Sequence, residues 1–322
     1  MKEVASLTPE DVAGILKIAK NTVYELIKRG DLEAYRVGRK IRVDPRDVDA
    51  YKNQRKKSGR PRSSTLSSNE PHPLQMKMPV KKDTANYYQD LVICGQDIIL
   101  DILALHIERH PYRIGTFRSY VGSFDGLMAV YHGKAHIAAI HLWDEDTGIY
   151  NIPYVRRLLP GIPAAVIHLA CRTQGFYVAG GNPKKIIHWD DLTRPGIRFI
   201  NREKGCGTRV LLDERLRKLS VDRRLIAGYE REEFSHLSIA SAVARGEADA
   251  GLGNQKASFQ VRNIDFVPLQ KERYELVIKR DDLEKPQFQA VLEVLESKEF
   301  RAELEGLGDY DLTELGKIVA EV

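Results

Sequence analysis

Over the first 58 residues the apolar positions fall at helical spacing twice and then alternate. Leu7-Thr8-Pro9-Glu10-Asp11 reads as a helix start, with a Thr cap, Pro at the first helical position and acidic residues in the first turn. Val12, Ile15 and Leu16 follow on the apolar stripe. After a break at Ile18-Ala19-Lys20, Asn21 or Thr22 caps a second helix whose stripe is Val23, Leu26 and Ile27, and Gly30 ends it. Residues 32–37 and 40–43 alternate around Gly38-Arg39, the pattern of a hairpin. Asp44-Pro45 starts a third helix, with Val48, Ala50 and Tyr51 available for packing.

From about Asn86 the spacing changes to short apolar runs, each followed by a helical stretch. Residues 90–94 form a strand that feeds a turn at Gly95, and residues 97–104 form the helix after it. Residues 113–117 form a strand, Gly122-Ser123 opens a helix through Leu127 and Val130, and residues 135–140 are strand again. This βα alternation predicts an α/β body of parallel sheets covered by helices, with right-handed crossovers and ligands beyond the strand carboxyl ends. Between the two patterns, residues 59–85 are rich in Ser, Pro and basic residues with no sustained apolar period, the composition of a flexible tether. The expected organisation is a head at 1–58, a linker at 59–85 and a body at 86–322.

Charge separates head from body. Residues 1–60 carry 15 Lys and Arg against 9 Asp and Glu, residues 61–85 carry 4 against 2, and residues 86–322 carry 31 against 34. A basic head on a mildly acidic body points to a polyanionic partner for the head. Two helices, a hairpin and a third helix make a winged helix-turn-helix. Its second helix would present Lys20, Asn21, Thr22, Tyr24 and Lys28, short polar groups for base edges and Lys for phosphates. The wing adds Arg36, Arg39, Lys40 and Arg42. Double-stranded DNA is the expected partner, bound by a homodimer or higher even oligomer on matched half-sites.

The composition, 43% hydrophobic and 30% charged, is that of a globular chain. No run approaches the ~18 consecutive apolar residues of a membrane span. The N-terminus carries no apolar secretory core, and Cys94, Cys171 and Cys206 are too scattered for a disulfide framework. A reducing cytoplasm is the expected compartment, with no membrane partner.

Three loops place Gly and small polar groups where a strand gives way to a helix: Cys94-Gly95-Gln96-Asp97, the Gly122-Ser123 start, and Gly205-Cys206-Gly207-Thr208-Arg209. Free N–H groups and the helix dipole make such starts ready for anions, and Gly lets the backbone approach closely. With Asn254 these residues form the candidate ligand-binding set. Arg209 in a first helical turn suits bidentate contact with an oxyanion, or it pairs with Asp213 one turn on. No His pair has metal-ligand spacing, no phosphate-loop or dinucleotide motif is present, and Cys206 has no dedicated His base. Neither catalysis, nor a metal, nor an organic cofactor is expected.

Two resemblances follow from these residues. The string LTPEDVAGILKIAKNTVYELIKRGDLEAYRVGRKIRVDPRDVDAY resembles the excisionase and MerR-type DNA-binding module. The strings ICGQDIILDILA, VGSFDGLMAVYHGKAHIAAIHLWDEDTGIYN, RFINREKGCGTRVLLD and GYEREEFSHLSIASAVARGEADAGLG resemble the cytoplasmic periplasmic-binding-protein-like (type II) domain related to molybdate and tungstate receptors. That resemblance implies two lobes with the ligand in the cleft between them, the first at about 86–178 and 274–322, the second at about 179–270. It implies a ligand-responsive transcriptional regulator sensing a molybdate- or tungstate-like oxyanion; a carrier or accessory protein without a regulatory role is the alternative. Related domains read NRxxGSGTR, whereas Cys206 stands here at the Ser, and a thiol is a poorer hydrogen-bond donor than a hydroxyl.

Overall fold

The computed structural model describes residues 6–18, 20–28, 32–37, 40–48, 51 and 90–322. The expected linker at 59–85, Arg39, and the side chains of Asn21, Lys28 and Arg36 lie outside the described residues. The chain divides into two compact units, Met1–Val80 and Lys81–Val322.

In the N-terminal unit, α1 (Pro9–Leu16) begins as its capping residues dictate. The Thr8 hydroxyl accepts from Asp11 N–H at 3.2 Å, while Thr8 N–H donates to the Asp11 carboxylate at 2.8 Å. Two of the four orphan donors of the helix start are satisfied in this reciprocal way. α2 (Lys20–Lys28) packs on α1, and β1 (Tyr35–Val37) pairs antiparallel with β2 (Lys40–Arg42). Leu7 bridges to Val43, and residues 45–48 are helical. Val12, Val23, Leu26, Leu32, Val43 and Val48 form the core. Ile15, which periodicity placed in the stripe, is 42% exposed; a helix of eight residues turns too little surface toward the core to bury it.

The C-terminal unit has two lobes built on one mixed sheet. In the first lobe, β3 (Leu91–Cys94) lies parallel between β4 (Thr116–Ser119) and β5 (Ile137–Ile140). In the second, β9 (Phe199–Arg202) lies parallel between β10 (Glu232–Glu233) and β11 (Ala250–Asn254). Two 16-residue antiparallel strands, β12 (Ile264–Lys279) and β8 (Ala164–Ala179), run through both lobes and join them. The sheet is therefore parallel among the three outer strands of each lobe and antiparallel wherever β8 or β12 takes part. Residues 275–278 of β12 pair with β5, whereas residues 174–178 of β8 pair with β11. Residues 174–178 of β8 thus pair within the second lobe. The β8–β12 register shifts at Pro268/Gln270 and Tyr274/Glu275, one on each side of the crossing.

Each lobe is a sheet with a core on both faces. Leu100, Leu103, Phe288 and Phe300 pack on one face of the first lobe, and Leu127, Val130, Val155 and Val166 on the other. Phe176, Phe199 and Leu212 face Tyr177, Ile200 and Ile239 across the second. All four side chains of β5 are buried, as strands covered on both faces require. Among the described residues no helix is long and apolar enough to cross a membrane.

Candidate ligand-binding site and DNA-facing helix

The lobes meet at the starts of two helices. α3 (Ser123–Tyr131) follows Gly122 in the first lobe, and α4 (Gly207–Lys218) follows Cys206 in the second. Neither N-cap residue makes a side-chain cap bond, which leaves first-turn N–H groups to be satisfied by something else. The loops touch directly: Phe124 N–H donates to the Gly205 carbonyl at 3.0 Å. A Cβ on Gly122 would stand 3.0 Å from Cys206 Cα, Cys206 N and the Gly205 oxygen, so Gly is what lets the lobes close this far. Around this contact Gln96 of the first lobe accepts from Arg202 at 2.5 Å and donates to Glu203 at 3.2 Å. Arg215 and Arg217 reach Glu145 and Asp146 at 3.0 and 2.8 Å.

A cavity lies between these contacts, lined by Gly95, Gln96, Asp97, Gly122, Ser123, His141, Arg172, Cys206, His236 and Tyr274 among others. It offers about 20 Å³ to the centres of water-sized atoms, where one water needs ~10–15 Å³ on that measure. A group of a few heavy atoms fits. A second chamber of about 240 Å³ shares Gln96, Asp97 and His236 with it.

The cavity collects positive potential. Besides α3 and α4, α5 (His236–Ala244) also starts at its wall. Three helix N-termini direct the positive ends of their dipoles toward one small space. Arg172, 5% exposed, adds a guanidinium. It lies over the Tyr274 ring at 3.9 Å and contacts Asp97 and Glu272, each at 2.5 Å. Its Nε is buried with no hydrogen-bond partner. Burial alone would raise the Glu272 carboxyl, but Arg172 and His141 outweigh it and hold that group at about 2. His236 is neutral, because burial and then Arg202, Arg172 and His141 push its pKa well below the ordinary value. Burial raises the Cys206 thiol against the pull of Arg202, so it stands as S–H.

Of the residues expected from sequence, the structure brings Gly95, Gln96, Asp97, Gly122, Ser123 and Cys206 to this cavity. Asn254 lies instead at the outer chamber, its side chain capping the next helical turn at Ala257 N–H, 3.0 Å away. Cys94 is 2% exposed and its Cβ faces Gly126. Gly205 supplies the carbonyl to Phe124, Gly207 packs on the His141 backbone, and Thr208 meets Gln174 at 3.4 Å. Arg209 shows the pairing with Asp213 that the sequence left open: its guanidinium bonds the Arg202 carbonyl at 3.1 Å, reaches Asp213 and Glu232 at 3.4 and 3.3 Å, and stacks on Tyr229 at 4.1 Å. These partners all lie within the second lobe, and Arg209 is not among the residues that line the cavity. The residues that sequence reasoning missed are His141, Arg172, His236 and Tyr274. A charge inside the apolar run AAVIHLACRTQGFYVA was the available signal for Arg172.

On the N-terminal unit, Thr22 and Lys40 are exposed, Tyr24 is 41% exposed and Arg42 is half-buried. Lys20 is paired with Glu10 at 3.0 Å, and that bond raises its pKa. α2 thus presents Thr22 and Tyr24 to solvent.

Comparison with known proteins agrees with this division. A helix-turn-helix domain model matches residues 6–56, and a PBP superfamily domain model matches residues 104–296. Both describe DNA-binding and binding-protein types. Protein YvgK of Bacillus subtilis is 42% identical over the full length of both chains. The molybdate-binding protein ModA of Mycobacterium tuberculosis is 34% identical over 95 residues, 30% of this chain and 34% of that protein. A Clostridium perfringens substrate-binding protein solved with bound phosphate superposes with a TM-score of 0.52 at 13% identity, covering 69% of this chain and 99% of that one. The fold is that of periplasmic binding proteins. The chain belongs to the PBP superfamily domain family, carried here behind an N-terminal helix-turn-helix domain.

Proposed function

We propose that the protein is a transcriptional regulator of the cytoplasm whose C-terminal unit senses a small oxyanion of the molybdate or tungstate class and whose N-terminal unit binds double-stranded DNA. The observation that carries this reading is the convergence of three helix N-termini and the buried Arg172 on a cavity sized for a few heavy atoms. An anion held there touches both lobes, so it stabilises the arrangement in which they meet. Only such differential affinity can shift a DNA-binding equilibrium. The protein acts as a homodimer or higher even oligomer, which gives two helix-turn-helix units for two half-sites.

The test is DNA binding of the full chain to the region upstream of its own gene, followed by fluorescence anisotropy over a salt series, with and without molybdate or tungstate. A linear fall of log affinity with log salt and a shift on adding the anion are expected. Anion binding by calorimetry with no DNA affinity at any salt refutes the regulator and favours the carrier. Sedimentation showing only monomer at micromolar concentration, with and without DNA, refutes the assembly.

A further inference from the structure

We infer that a hairpin of the first lobe and the C-terminal half of α4 form a latch that holds the lobes together away from the cavity and thereby sets ligand affinity. The effect on affinity rests on the anion-sensing reading above; the effect on lobe closure does not.

The hairpin pairs β6 (Trp143–Asp144) with β7 (Ile149–Tyr150), and Trp143 stands opposite Tyr150. Its base is fixed to the first lobe: Leu142 N–H donates to the Asn151 amide oxygen at 2.7 Å, and Leu142 packs in that lobe's core. Its turn is set from inside by the buried Asp144 carboxylate. That group accepts from Thr147 N–H at 3.1 Å, from the Thr147 hydroxyl at 2.6 Å and from Arg157 at 2.8 Å.

This braced arm reaches the second lobe. Arg215 of α4 donates to Glu145 at 3.0 Å and lies over the Trp143 ring at 5.2 Å, within cation–π range. Glu145 N–H donates to the Glu214 carboxylate at 3.2 Å, and the Trp143 indole N–H donates to Glu145 at 2.6 Å. Arg215 also donates to the Gln270 amide oxygen on β12, and the Gln270 amide donates to the Tyr150 hydroxyl at 2.7 Å. The Tyr150 and Trp143 rings lie 4.9 Å apart, so Trp143, Glu145, Arg215, Gln270 and Tyr150 close a ring through both lobes. The Glu145 side chain is 7% exposed, so its pairing is little screened by solvent. Arg217 and Asp146 beside it are exposed, and such a pair contributes little.

None of these five residues lines the cavity. α4 nevertheless carries both contacts. Cys206 at its N-cap faces the cavity, and Arg215 stands roughly 12 Å along the axis at the helical rise per residue. Parting the lobes breaks the ring whether or not an anion is present. A contact made only in the closed state raises the closed fraction, and apparent affinity scales with that fraction.

Acrylamide quenching of Trp143 and calorimetry with molybdate test the latch in the full chain. A Trp189→Phe background leaves Trp143 as the only tryptophan. Glu145→Gln keeps an oxygen for the indole N–H but removes the charge, and Arg215→Gln removes its partner. Each is expected to raise quenching in the anion-free protein, to weaken molybdate by about 3- to 30-fold, and to return to wild-type quenching at saturating molybdate. A merely structural defect would not be reversed by the anion. The double variant binds no more weakly than the weaker single one, because both act through one contact. Asp146→Asn, at the exposed pair, stays within about twofold of wild type, and a loss there equal to that of Glu145→Gln overturns the assignment. Unchanged quenching and affinity in both single variants overturn the inference, as do lost affinity with unchanged quenching and losses that add in the double variant. Raised quenching in the variants of a chain that binds no molybdate supports the latch and overturns the anion reading instead.

Discussion

The contact between Gly122 and the Gly205-Cys206 backbone sets how far the lobes close, so Gly122→Ala isolates closure from chemistry. The added methyl would stand 3.0 Å from three backbone atoms of the opposite lobe, where ordinary contact begins near 3.4 Å. Backbone gives way only if the lobes part by several tenths of an ångström. Overpacking of this kind costs about 1–3 kcal/mol. The cost falls only on the state in which the lobes touch, so apparent ligand affinity drops by about 5- to 150-fold. Gly122 has φ −67°, which Ala adopts without strain. The remaining cost, from Ala at an N-cap, is shared by both states and stays under about 1 kcal/mol. Calorimetry with molybdate, together with thermal melts with and without the anion, reads the two terms separately. Gly306→Ala is the control, because nothing lies within 4 Å of its added methyl. Wild-type affinity in Gly122→Ala, with the fold intact, would refute the reasoning.

Arg172→Met strands Asp97 and Glu272 in the interior, so a loss of about 3–5 kcal/mol is expected at pH 7. In the wild type Glu272 is held at about 2 against 4.5 for the free group, so it stabilises the fold above about pH 4.5 and that contribution is lost as pH falls toward 2. The variant raises the same carboxyl, hence the gap between the two melting curves narrows on acidification from pH 7 to 4; a constant gap would contradict the pairing. Arg209→Ala lowers the melting temperature by breaking its links to Glu232, the Arg202 carbonyl and Tyr229, while oxyanion affinity stays within about twofold; loss of binding at unchanged stability would return Arg209 to the cavity. Arg42→Ala weakens DNA binding on all sequences and reduces the salt slope by about one, whereas substitutions at Thr22 change sequence preference; anisotropy over a salt series on two unrelated duplexes distinguishes these outcomes.

Local signals were legible because local physics sets them. The Thr8-Asp11 capping box, the alternating strands at 35–37 and 40–42 and the Gly122-Ser123 helix start each depend on residues a few positions apart, and each element formed about where its spacing placed it. The same holds for the βα units of each lobe, whose apolar runs must be covered on both faces.

Long-range pairing decided the rest. Arg172 and Glu272 are partners in the β8–β12 ladder although 100 residues separate them, and no spacing within either strand reveals that. Arg209 looked available for an anion from its place in a first helical turn, but the folded second lobe supplies it with a carbonyl, two carboxylates and an aromatic face. His141 and His236 read as isolated histidines in the sequence and become cavity wall only because the lobes close over them. The sequence by itself determined the two-unit plan, the capping of the helices and the glycines that permit close approach, since these follow from neighbours in the chain. Only the tertiary structure decided which charges are spent on each other and which donors remain for a ligand, because burial and pairing belong to groups brought together from distant strands.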